Sequence, residues 1–354
     1  MGYSIRELSN EDNEKWDLFI FKSDKTLLYH SWKYKLLLER FLNLKSRYLC
    51  LFDKNDNIKS AIPLFCFNSP EGMIINSLPF YGSHGGVLEF DGNEKYKKAI
   101  LSKYIEIIDN ENIISATLIS NPFDKGNFFL KDNLSYDYID QRIGQIVDLP
   151  KNISAEKLED EIFQMCHYKT RNMIRKSMKY GFDFIVDNSD KSWNFLKKTH
   201  NENILNINGI PKPDNFFSLI KEIFTPTIDY DIWVAKKNEE FCASMLIFKF
   251  NKTIEYFTPV IDLKYRNEQP LSGLIFNAMK NASEKGFKFW NWGGTWLNQD
   301  GVYRFKSRWG TKDFPYYYYT TLKNKEVLNL SKEEILSKFP YFYVISFNEL
   351  NENY

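Results

Sequence analysis

The order of the predicted secondary-structure elements repeats in the two halves of the chain. Hydrophobic periodicity predicts helices, a strand hairpin, a loop, a long helix and a closing strand in residues 1–150, and the same order in residues 151–354. The two halves share no sequence repeat. Strand meanders that alternate with crossover helices are typical of layered α/β or α+β domains. We therefore expect two tandem domains, 1–150 and 151–354, each with a mixed, mostly antiparallel sheet flanked by helices.

The first half has clear local signals. Helices are predicted over 11–22, 31–45 and 94–109, and strands over 48–52, 61–67 and 113–119. Ser31 is placed to cap the second helix, and Pro63 suggests a sheet edge or bulge, since proline donates no hydrogen bond to a ladder. Residues 78–88 contain three glycines, and exposed backbone N–H groups in such a loop can hold an anion. A tight turn is an equally good interpretation.

The second half opens with a basic helix. Helices are predicted over 155–180, 190–204, 213–224 and 271–285, and strands over 182–186, 232–235, 241–250 and 253–260. Gly181 is placed to end the first of these helices. The second half of that helix carries five cations with little interleaved acid: Lys169, Arg171, Arg175, Lys176 and Lys179. Such a face is either a solvated helix surface or an anion-binding site.

Residues 289–319 combine an apolar strand, two glycines, alternating cations and a tyrosine-rich strand. The first strand reaches a break at Gly293-Gly294. Arg304, Lys306 and Arg308 then occupy every second position among aromatic residues. If this segment is an extended hairpin arm, the three cations share one face, because side chains alternate across a strand. That face is either solvated or a binding lip for an anion beside a glycine loop.

Composition limits the classes of function. Lys and Arg number 47 against 46 Asp and Glu, for a net charge of +1, so overall electrostatics do not favour nucleic-acid binding. We expect a cytoplasmic protein, because no signal pattern and no long apolar span occur. The four cysteines are scattered singly and the four histidines stand alone, which predicts core cysteines and neither a disulfide framework nor a metal site.

Three segments resemble one family. The helix 167–177, followed by Gly181 and a strand, resembles the start of the second domain in FemAB-like proteins of the GNAT (Gcn5-related acyltransferase) superfamily. Residues 289–294 together with 305–310 resemble the family's C-terminal pattern. Residues 78–86 look like the loop that its members carry in the first domain. Together these segments span nearly the whole chain in the family's order.

The resemblance implies two tandem GNAT folds and an N-acyltransferase. The implied donor is acyl-CoA or aminoacyl-tRNA, so tRNA is a candidate partner, and no metal is required. The implied acceptor is the amine of a nucleotide- or lipid-linked amino sugar or muropeptide of the cell envelope. The alternative is a non-catalytic double-GNAT module that binds a nucleotide sugar or RNA. The donor, the general base and the oligomeric state stay open at this point.

The resemblance also assigns candidate catalytic residues. Phe305 and Lys306 match the pair associated with the transfer step and donor placement. A fixed cation stabilises a developing oxyanion best in a dry cleft, which makes Lys306 the first candidate for that role. His84 is a candidate general base, because an ordinary imidazole titrates near neutrality, although a structural role is as consistent. Tyr303 is a candidate proton donor to the leaving group, from its position alone.

Further residues are candidates for binding. Arg171 and Arg175 suit a phosphate clamp, since a guanidinium fork matches phosphate oxygens. Lys33 or Lys35, beside Trp32, matches the lysine that contacts acceptor phosphates in FemX-like members. The other residues expected at the cleft are Tyr81, Lys169, Trp292, Gly293 and Arg308.

One segment departs from the pattern of CoA-binding GNAT proteins. These proteins hold the CoA pyrophosphate on the N–H groups of a glycine-rich loop at a helix N-terminus. The equivalent residues here, 266–273, contain a single glycine. This departure weakens the expectation of CoA binding in the usual manner.

Overall fold

The computed structural model describes residues 2–80, 84–124 and 128–351. The chain forms two compact units, the first made of Met1–Ile143 with Pro315–Tyr354 and the second of Gly144–Phe314. The boundary predicted at residue 150 thus falls a few residues late. The predicted 151–354 domain also differs from the structure at its end. The last forty residues belong with the first unit, where the strand that begins the return pairs antiparallel from Tyr318 to Leu322 with residues 115–119.

The described residues form strands and helices in mixed order. The strands are β1 (Tyr3–Glu7), β2 (Leu49–Asp53), β3 (Ile58–Ile62), β4 (Phe65–Ser69), β5 (Gly72–Asn76), β6 (Ile113–Ile119), β7 (Tyr138–Asp148), β8 (Asp183–Val186), β9 (Tyr230–Lys237), β10 (Glu240–Phe250), β11 (Thr253–Ile261), β12 (Phe289–Trp296) and β13 (Lys312–Leu322). The helices are α1 (Asn13–Ile20), α2 (Trp32–Leu42), α3 (Glu94–Asn110), α4 (Phe128–Asn133), α5 (Ala155–Met165), α6 (Tyr168–Lys179), α7 (Asp190–Leu205), α8 (Asp214–Ile223), α9 (Pro270–Glu284), α10 (Asp300–Ser307) and α11 (Lys332–Lys338).

The first unit contains two groups of strands. β1, β2 and β3 form a small antiparallel sheet, and the remaining strands follow the order β4-β5-β6-β13, with β5 and β6 parallel. The apolar side of α3, including Ile100 and Tyr104, packs in the core of this unit. The predicted single strand over 61–67 is wrong. Pro63 separates β3 from β4, which belong to different sheets, because proline cannot donate to either ladder.

The second unit is built on strands in the order β7-β12-β11-β10-β9-β8. β8 to β11 form an antiparallel meander, and α9 connects β11 to the parallel strand β12. The buried side of α9, with Leu274 and Met279, packs in the core of this unit. Gly273 permits a close approach between α9 and α6, since a Cβ there would lie 2.4 Å from Ser177 Oγ.

The predicted single helix over 155–180 is two helices. Cys166 and His167 adopt extended backbone conformations between α5 and α6. The N–H of His167 donates to the carbonyl of Arg308 at 2.8 Å, and its Nδ1 accepts from the N–H of Lys169 at 3.3 Å. His167 is therefore the N-cap of α6 and is held by a residue distant in sequence. Gly181 follows the end of α6 with φ +70°, as predicted.

The condition for a shared basic face, an extended segment over 301–310, is not met, because residues 300–307 form α10. The helix begins with the N–H of Tyr303 donating to the carbonyl of Gln299 at 3.0 Å. In helical geometry Arg304 and Arg308, four residues apart, lie on one face and Lys306 lies on another. Arg304 is exposed, Lys306 is buried and Arg308 is half-buried. The predicted basic lip is thus replaced by one inward lysine.

Candidate functional site

A gap opens between the two parallel strands of the second unit. β11 and β12 pair from Thr253 with Phe289 to Glu255 with Asn291, and the described residues contain no further pair between them. Both strands nevertheless continue, to Ile261 and Trp296. Their carboxyl ends therefore diverge, and backbone groups along the gap are not used by a neighbouring strand. Ligands of open α/β sheets bind at the carboxyl ends of parallel strands.

A buried polar pair marks the point where the strands separate. Asn291 Nδ2 donates to Glu255 Oε2 at 2.8 Å, and Asn291 Oδ1 accepts from the N–H of Gly293 at 2.9 Å. Both Glu255 and Asn291 are almost fully buried. A buried carboxylate is costly unless hydrogen bonds satisfy it. The pair thus fixes the last joined position and the turn of the backbone into Gly293.

Gly293 changes the direction of β12 at the gap. Its φ of +73° lies in the left-handed region, where glycine is favoured. A Cβ at this position would meet no described atom within 4 Å, so backbone strain and not crowding requires glycine. The strand continues beyond this residue, so the predicted break is a twist within β12. Gly294 is exposed and Thr295 is buried on the next position.

Lys306 of α10 reaches the end of β12. Its Nζ donates to the carbonyl of Gly294 at 2.9 Å and to Thr295 Oγ1 at 3.0 Å, and the carbonyl of Gly293 lies at 3.5 Å. The Thr295 hydroxyl in turn donates to Gln145 Oε1 at 3.1 Å. Gln145 also donates to the carbonyl of Tyr303, within α10, at 3.2 Å. This network holds β12, β7 and α10 in one arrangement around the ammonium.

Burial lowers the pKa of Lys306 to about 8. Only 8% of the residue is exposed, and no carboxylate within the described ranges pairs with it. Desolvation disfavours the charged form of a lysine, whereas the neutral oxygen acceptors at Gly294 and Thr295 favour it. The side chain is a mostly protonated, poorly solvated cation at pH 7. Such perturbed groups are candidates for functional roles.

Aromatic side chains from β11, β12 and α10 pack together next to the residues that hold Lys306. Trp292 packs against Tyr256, Phe305 and Trp309, with ring centroids 4.6, 5.9 and 5.5 Å away. Trp292 is buried, so the structure places it in the core of the unit. Its predicted contact with substrate stays a prediction that this burial does not favour. Phe305 is half-buried and packs on the same core.

Tyr303 and Arg308 have structural partners. The Tyr303 hydroxyl donates to Asp313 Oδ2 at 2.7 Å, and this hydrogen bond raises the pKa of the phenol. The tyrosine is therefore protonated at pH 7, but its proton is directed at a carboxylate. The backbone carbonyl of Arg308 accepts from His167, as described above. The predicted roles of both side chains in binding or proton transfer stay predictions.

The outer face of α6 is strongly basic. Five of its twelve residues are Lys or Arg and none is acidic. Arg171 donates to Gln164 at 3.0 Å, and Arg175 donates to Asn172 at 3.1 Å and stacks over Phe163. Thr170, Ile174 and Ser177 form the buried side of the helix. Lys169 and the predicted phosphate clamp are thus brought onto one solvent-facing helix.

The start of α9 lacks an open anion loop. The preceding residues form a 3-10 helix, Leu263–Glu268, and Gln269 adopts a left-handed conformation with φ +62°. The carbonyl of Gln269 accepts from the N–H of Ser272 at 3.0 Å. Glu268 forms an ion pair with Lys237 at 2.7 Å. The turn therefore closes on itself and carries a carboxylate where CoA-binding GNAT proteins place a glycine loop.

The remaining candidates lie in the first unit. His84 is buried between the rings of Tyr29 and Tyr316, and desolvation lowers its pKa to about 3. It is neutral at pH 7, and its role as a base stays a prediction. Lys35 is buried, with an ion pair to Glu39 at 3.0 Å. The cation of Lys35 also lies 4.3 Å from the centre of the Trp32 ring.

Two further residues complete the predicted set. Lys33, on the same helix as Lys35, is half-buried and lies near Asp17. Burial raises the pKa of the Asp17 carboxyl, and the positive charge of Lys33 offsets part of this increase. Tyr81 lies outside the described residues.

Of the predicted site residues, the structure brings Lys306, Phe305 and Gly293 together at the gap. Four other polar residues of this site were not among the predicted residues: Gln145, Glu255, Asn291 and Thr295. A polar side chain between two tryptophans, as at Asn291, was the available signal.

Comparison with known proteins identifies the fold. No sequence-family profile and no curated protein matches the chain. Among solved structures, FemX has a TM-score of 0.71 at 14% identity and covers 92% of this chain and 98% of its own. L-PGS from Bacillus licheniformis has a TM-score of 0.58 at 15% identity, with 96% and 98% covered. A tandem GNAT protein from the clavulanic acid biosynthesis pathway has a TM-score of 0.53 at 8% identity, with 90% and 98% covered.

The protein therefore has the tandem GNAT fold of FemAB-like proteins, as the resemblance implied. The open gap between β11 and β12 lies in its second unit. None of the described helices is both long and apolar enough to span a bilayer. In the described ranges, no group of three or more His, Cys, Asp or Glu side chains is arranged to hold a metal ion.

Proposed function

We propose that this protein is an N-acyltransferase that modifies an amine of a cell-envelope precursor. The observation that supports this function most strongly is Lys306, a buried cation at the open end of the β11–β12 gap in a FemX-like fold. The donor is an activated ester or thioester. The acceptor is the amine of a nucleotide- or lipid-linked muropeptide or amino sugar. Both kinds of donor are made in the cytoplasm, where we place the reaction.

The chemistry requires one main contribution from the protein. The neutral amine attacks the donor carbonyl carbon, a C–N bond forms, the bond to the leaving oxygen or sulfur breaks, and the amine loses a proton. Negative charge develops on the carbonyl oxygen during attack. Two N–H groups of Lys306 make hydrogen bonds of 2.9 and 3.0 Å, and the third contact, at 3.5 Å, is at the limit. One donor of the ammonium thus stays available for the oxyanion.

The geometry at the start of α9 favours aminoacyl-tRNA over acyl-CoA as donor. A CoA pyrophosphate needs free N–H groups at a helix N-terminus and benefits from glycines that let it approach. Here the first turn is closed by the Gln269 carbonyl, and Glu268 places a carboxylate beside it. Lys237 already pairs with that carboxylate, so this ion pair offers no net positive charge to an added anion.

The basic face of α6 gives independent support for an RNA donor. Ser177 of α6 touches the position where a Gly273 Cβ would lie, so α6 packs against the first turns of α9. Lys176 and Lys179 are exposed, with no ion pair to any described acid. Cations spaced along one helix face suit a polyphosphate backbone more than a single pyrophosphate.

A binding experiment separates the two donors. We expect tRNA to bind with an affinity that falls steeply with salt. The change Lys176→Gln with Lys179→Gln should reduce the slope of log K against log salt by about 2, at roughly 0.9 for each phosphate contact. The matched control is Lys198→Gln with Lys285→Gln, two exposed lysines of the same unit, which should leave the slope unchanged.

The outcomes distinguish the alternatives. Transfer from aminoacyl-tRNA, but not from acyl-CoA, supports the proposal in full. Transfer from acyl-CoA with no tRNA binding refutes the choice of donor and retains the acyltransferase. Tight tRNA binding with no transfer to any amine acceptor supports the alternative, a non-catalytic double-GNAT binding module.

A further inference from the structure

Exposed aliphatic side chains border the open end of the gap on the β11 side. Asn203, near the end of α7, donates to the carbonyl of Ile261 at 2.9 Å and accepts from its N–H at 3.0 Å. These two bonds attach the end of α7 to the end of β11. The segments that follow Asn203 and Ile261 therefore start next to each other. Four aliphatic side chains in these two segments are exposed. Leu205, Ile207 and Ile210 follow Asn203, and Leu263 follows Ile261.

The β12 side of the gap is bordered in the same way. Because β11 and β12 are parallel, their carboxyl ends lie at the same edge of the sheet. Trp296 ends β12 and Leu297 follows it, and both side chains are exposed. We call these two residues, with Leu205, Ile207, Ile210 and Leu263, the apolar rim. Lys306 contacts Gly294 and Thr295, immediately before Trp296, so the rim adjoins the candidate site.

The rim is unusual in its exposure. Ile207 is 72% and Ile210 is 81% exposed. Residues 204–211 contain no charged side chain. Single exposed aliphatic residues are common, but a group of them around one opening indicates an interaction surface.

Cations stand beside the rim. Arg266, three residues after Leu263, and Arg304, on α10, are exposed and have no ion-pair partner among the residues that the structure describes. Acids are also near in sequence, among them Glu202 on α7 and Asp262, which caps the 3-10 helix that begins at Leu263. Glu268 is neutralised by Lys237, and Asp300 lies at the start of α10. Two exposed arginines, with no ion-pair partner among the described residues, thus lie near the rim in sequence.

We propose that the apolar rim inserts into the surface of an anionic lipid bilayer and that the acceptor is lipid-linked. The choice of acceptor rests on the proposed function, whereas the membrane contact does not. The rim residues lie on three chain segments, at the end of α7, at the 3-10 helix after β11 and at the end of β12. Exposed aliphatic side chains spread over several segments suit a deformable lipid surface more than a protein partner. Aliphatic and tryptophan side chains with basic residues behind them are typical of interfacial membrane binding. Insertion would bring the open gap to the depth at which a lipid-linked head group is presented.

Vesicle flotation of the full chain tests the membrane contact without donor or acceptor. The chain should float with vesicles of phosphatidylcholine and phosphatidylglycerol, and less with phosphatidylcholine alone. The change Ile207→Ser with Ile210→Ser should weaken binding at least about tenfold, because two exposed aliphatic groups no longer insert. Leu18→Ser with Ile228→Ser is the matched control, since these residues are 73% and 68% exposed elsewhere, and it should bind like the natural chain.

Fluorescence provides a second readout that does not depend on the folding of the serine variants. Among the described residues, Trp296 is the one exposed tryptophan, since Trp32 is half-buried and the others are buried. Vesicles that carry bromine on the lipid chains should quench part of the tryptophan emission. In Trp296→Phe that part should be absent, while flotation persists through the aliphatic residues.

Each outcome decides the inference. A chain that stays in solution with both kinds of vesicle would overturn it, as would equal weakening by the two serine pairs. Reversible self-association that disappears in the Ile207 and Ile210 variant would also overturn it, in favour of a second copy of the chain. Transfer to a nucleotide-linked acceptor in solution, without vesicle binding, overturns this inference and leaves the proposed function standing. Vesicle binding without transfer to any acceptor supports the membrane contact and refutes the proposed function.

Discussion

Replacing Lys306 by methionine should stabilise the protein while removing its proposed activity. Methionine retains most of the length of the side chain and carries no charge to desolvate. Burial lowers the pKa of Lys306 from 10.5 to about 8. At about 1.4 kcal/mol for each tenfold change in proton affinity, holding the ammonium in the folded protein costs about 3 kcal/mol at pH 7.

Two hydrogen bonds offset part of this cost. The Gly294 carbonyl belongs to an exposed residue and can bind water instead. The Thr295 hydroxyl keeps its bond to Gln145. Their loss should therefore remove about 1–2 kcal/mol of stabilisation. We expect Lys306→Met to raise the free energy of unfolding at pH 7 by about 1–2 kcal/mol.

The dependence on pH gives the sharper signature. The folded-state pKa of Lys306 lies below the unfolded value, so between pH 8 and 10.5 the unfolded chain binds more protons. The natural protein should gain stability across this interval, and the advantage of Lys306→Met should shrink by up to about 3 kcal/mol. The assay is urea unfolding followed by tryptophan fluorescence, since Trp292 and Trp309 lie in the same core as Phe305.

A surface lysine serves as the control. Lys312 is exposed and pairs with Asp148 at 2.6 Å. Lys312→Met should leave the unfolding free energy nearly unchanged and should not reproduce the dependence between pH 8 and 10.5. If Lys306→Met destabilises the protein equally at pH 7 and pH 10, the ammonium is not desolvated as the structure indicates, and the reasoning fails.

Three further predictions concern the same site. Transfer activity should decline as pH rises through about 8, where Lys306 loses its proton, and Lys306→Arg should move this decline to higher pH; a decline that stays at pH 8 in the arginine variant would assign it to another group. Gly293→Ala should lower the free energy of unfolding by about 1–2 kcal/mol, because the backbone of Gly293 is left-handed. The control Gly301→Ala, in α10, should be neutral or stabilising by about 0.5 kcal/mol. Equal effects of the two changes in urea unfolding would rule out backbone strain as the cause. Asn291→Ala should cost about 2–3 kcal/mol, because buried Glu255 loses a donor, and adding Glu255→Gln should recover part of the loss, as a double-mutant cycle would show.

Elements with a strong local pattern could be predicted from the sequence. The strand over 113–119 and the helix that begins at residue 94 have the predicted bounds within a residue, because each buries one consistent set of apolar side chains. The meander β9 to β11 was also recognised from its turns. In each case neighbouring residues decide the structure.

The wrong predictions depend on distant contacts. The helix over 155–180 is interrupted because His167 donates to Arg308, which is far along the chain. The alternating cations of 304–308 fit a strand, but residues 300–307 form α10, and Lys306 and Trp309 are buried. The return of residues 315–354 to the first unit depends on the pairing of β13 with β6. None of these contacts has a local sequence signal.

The candidate site was predictable only in part. Lys306, Phe305 and Gly293 followed from the family resemblance. Gln145 and Thr295, which fix the position of the lysine, meet across 150 residues. Local sequence pattern cannot indicate such a contact, since polar residues in apolar strands are equally consistent with edge positions.

The most direct test of the proposed function is a single-turnover transfer assay. A tRNA that carries a labelled aminoacyl group is mixed with a lipid-linked muropeptide and with one of three proteins. These are the natural chain, Lys306→Met and Lys312→Met. We predict product with the natural chain and with Lys312→Met, and a rate lower by about 100-fold or more with Lys306→Met, since one oxyanion donor is typically worth that factor. Full transfer by a folded Lys306→Met protein would contradict the central role of the buried lysine.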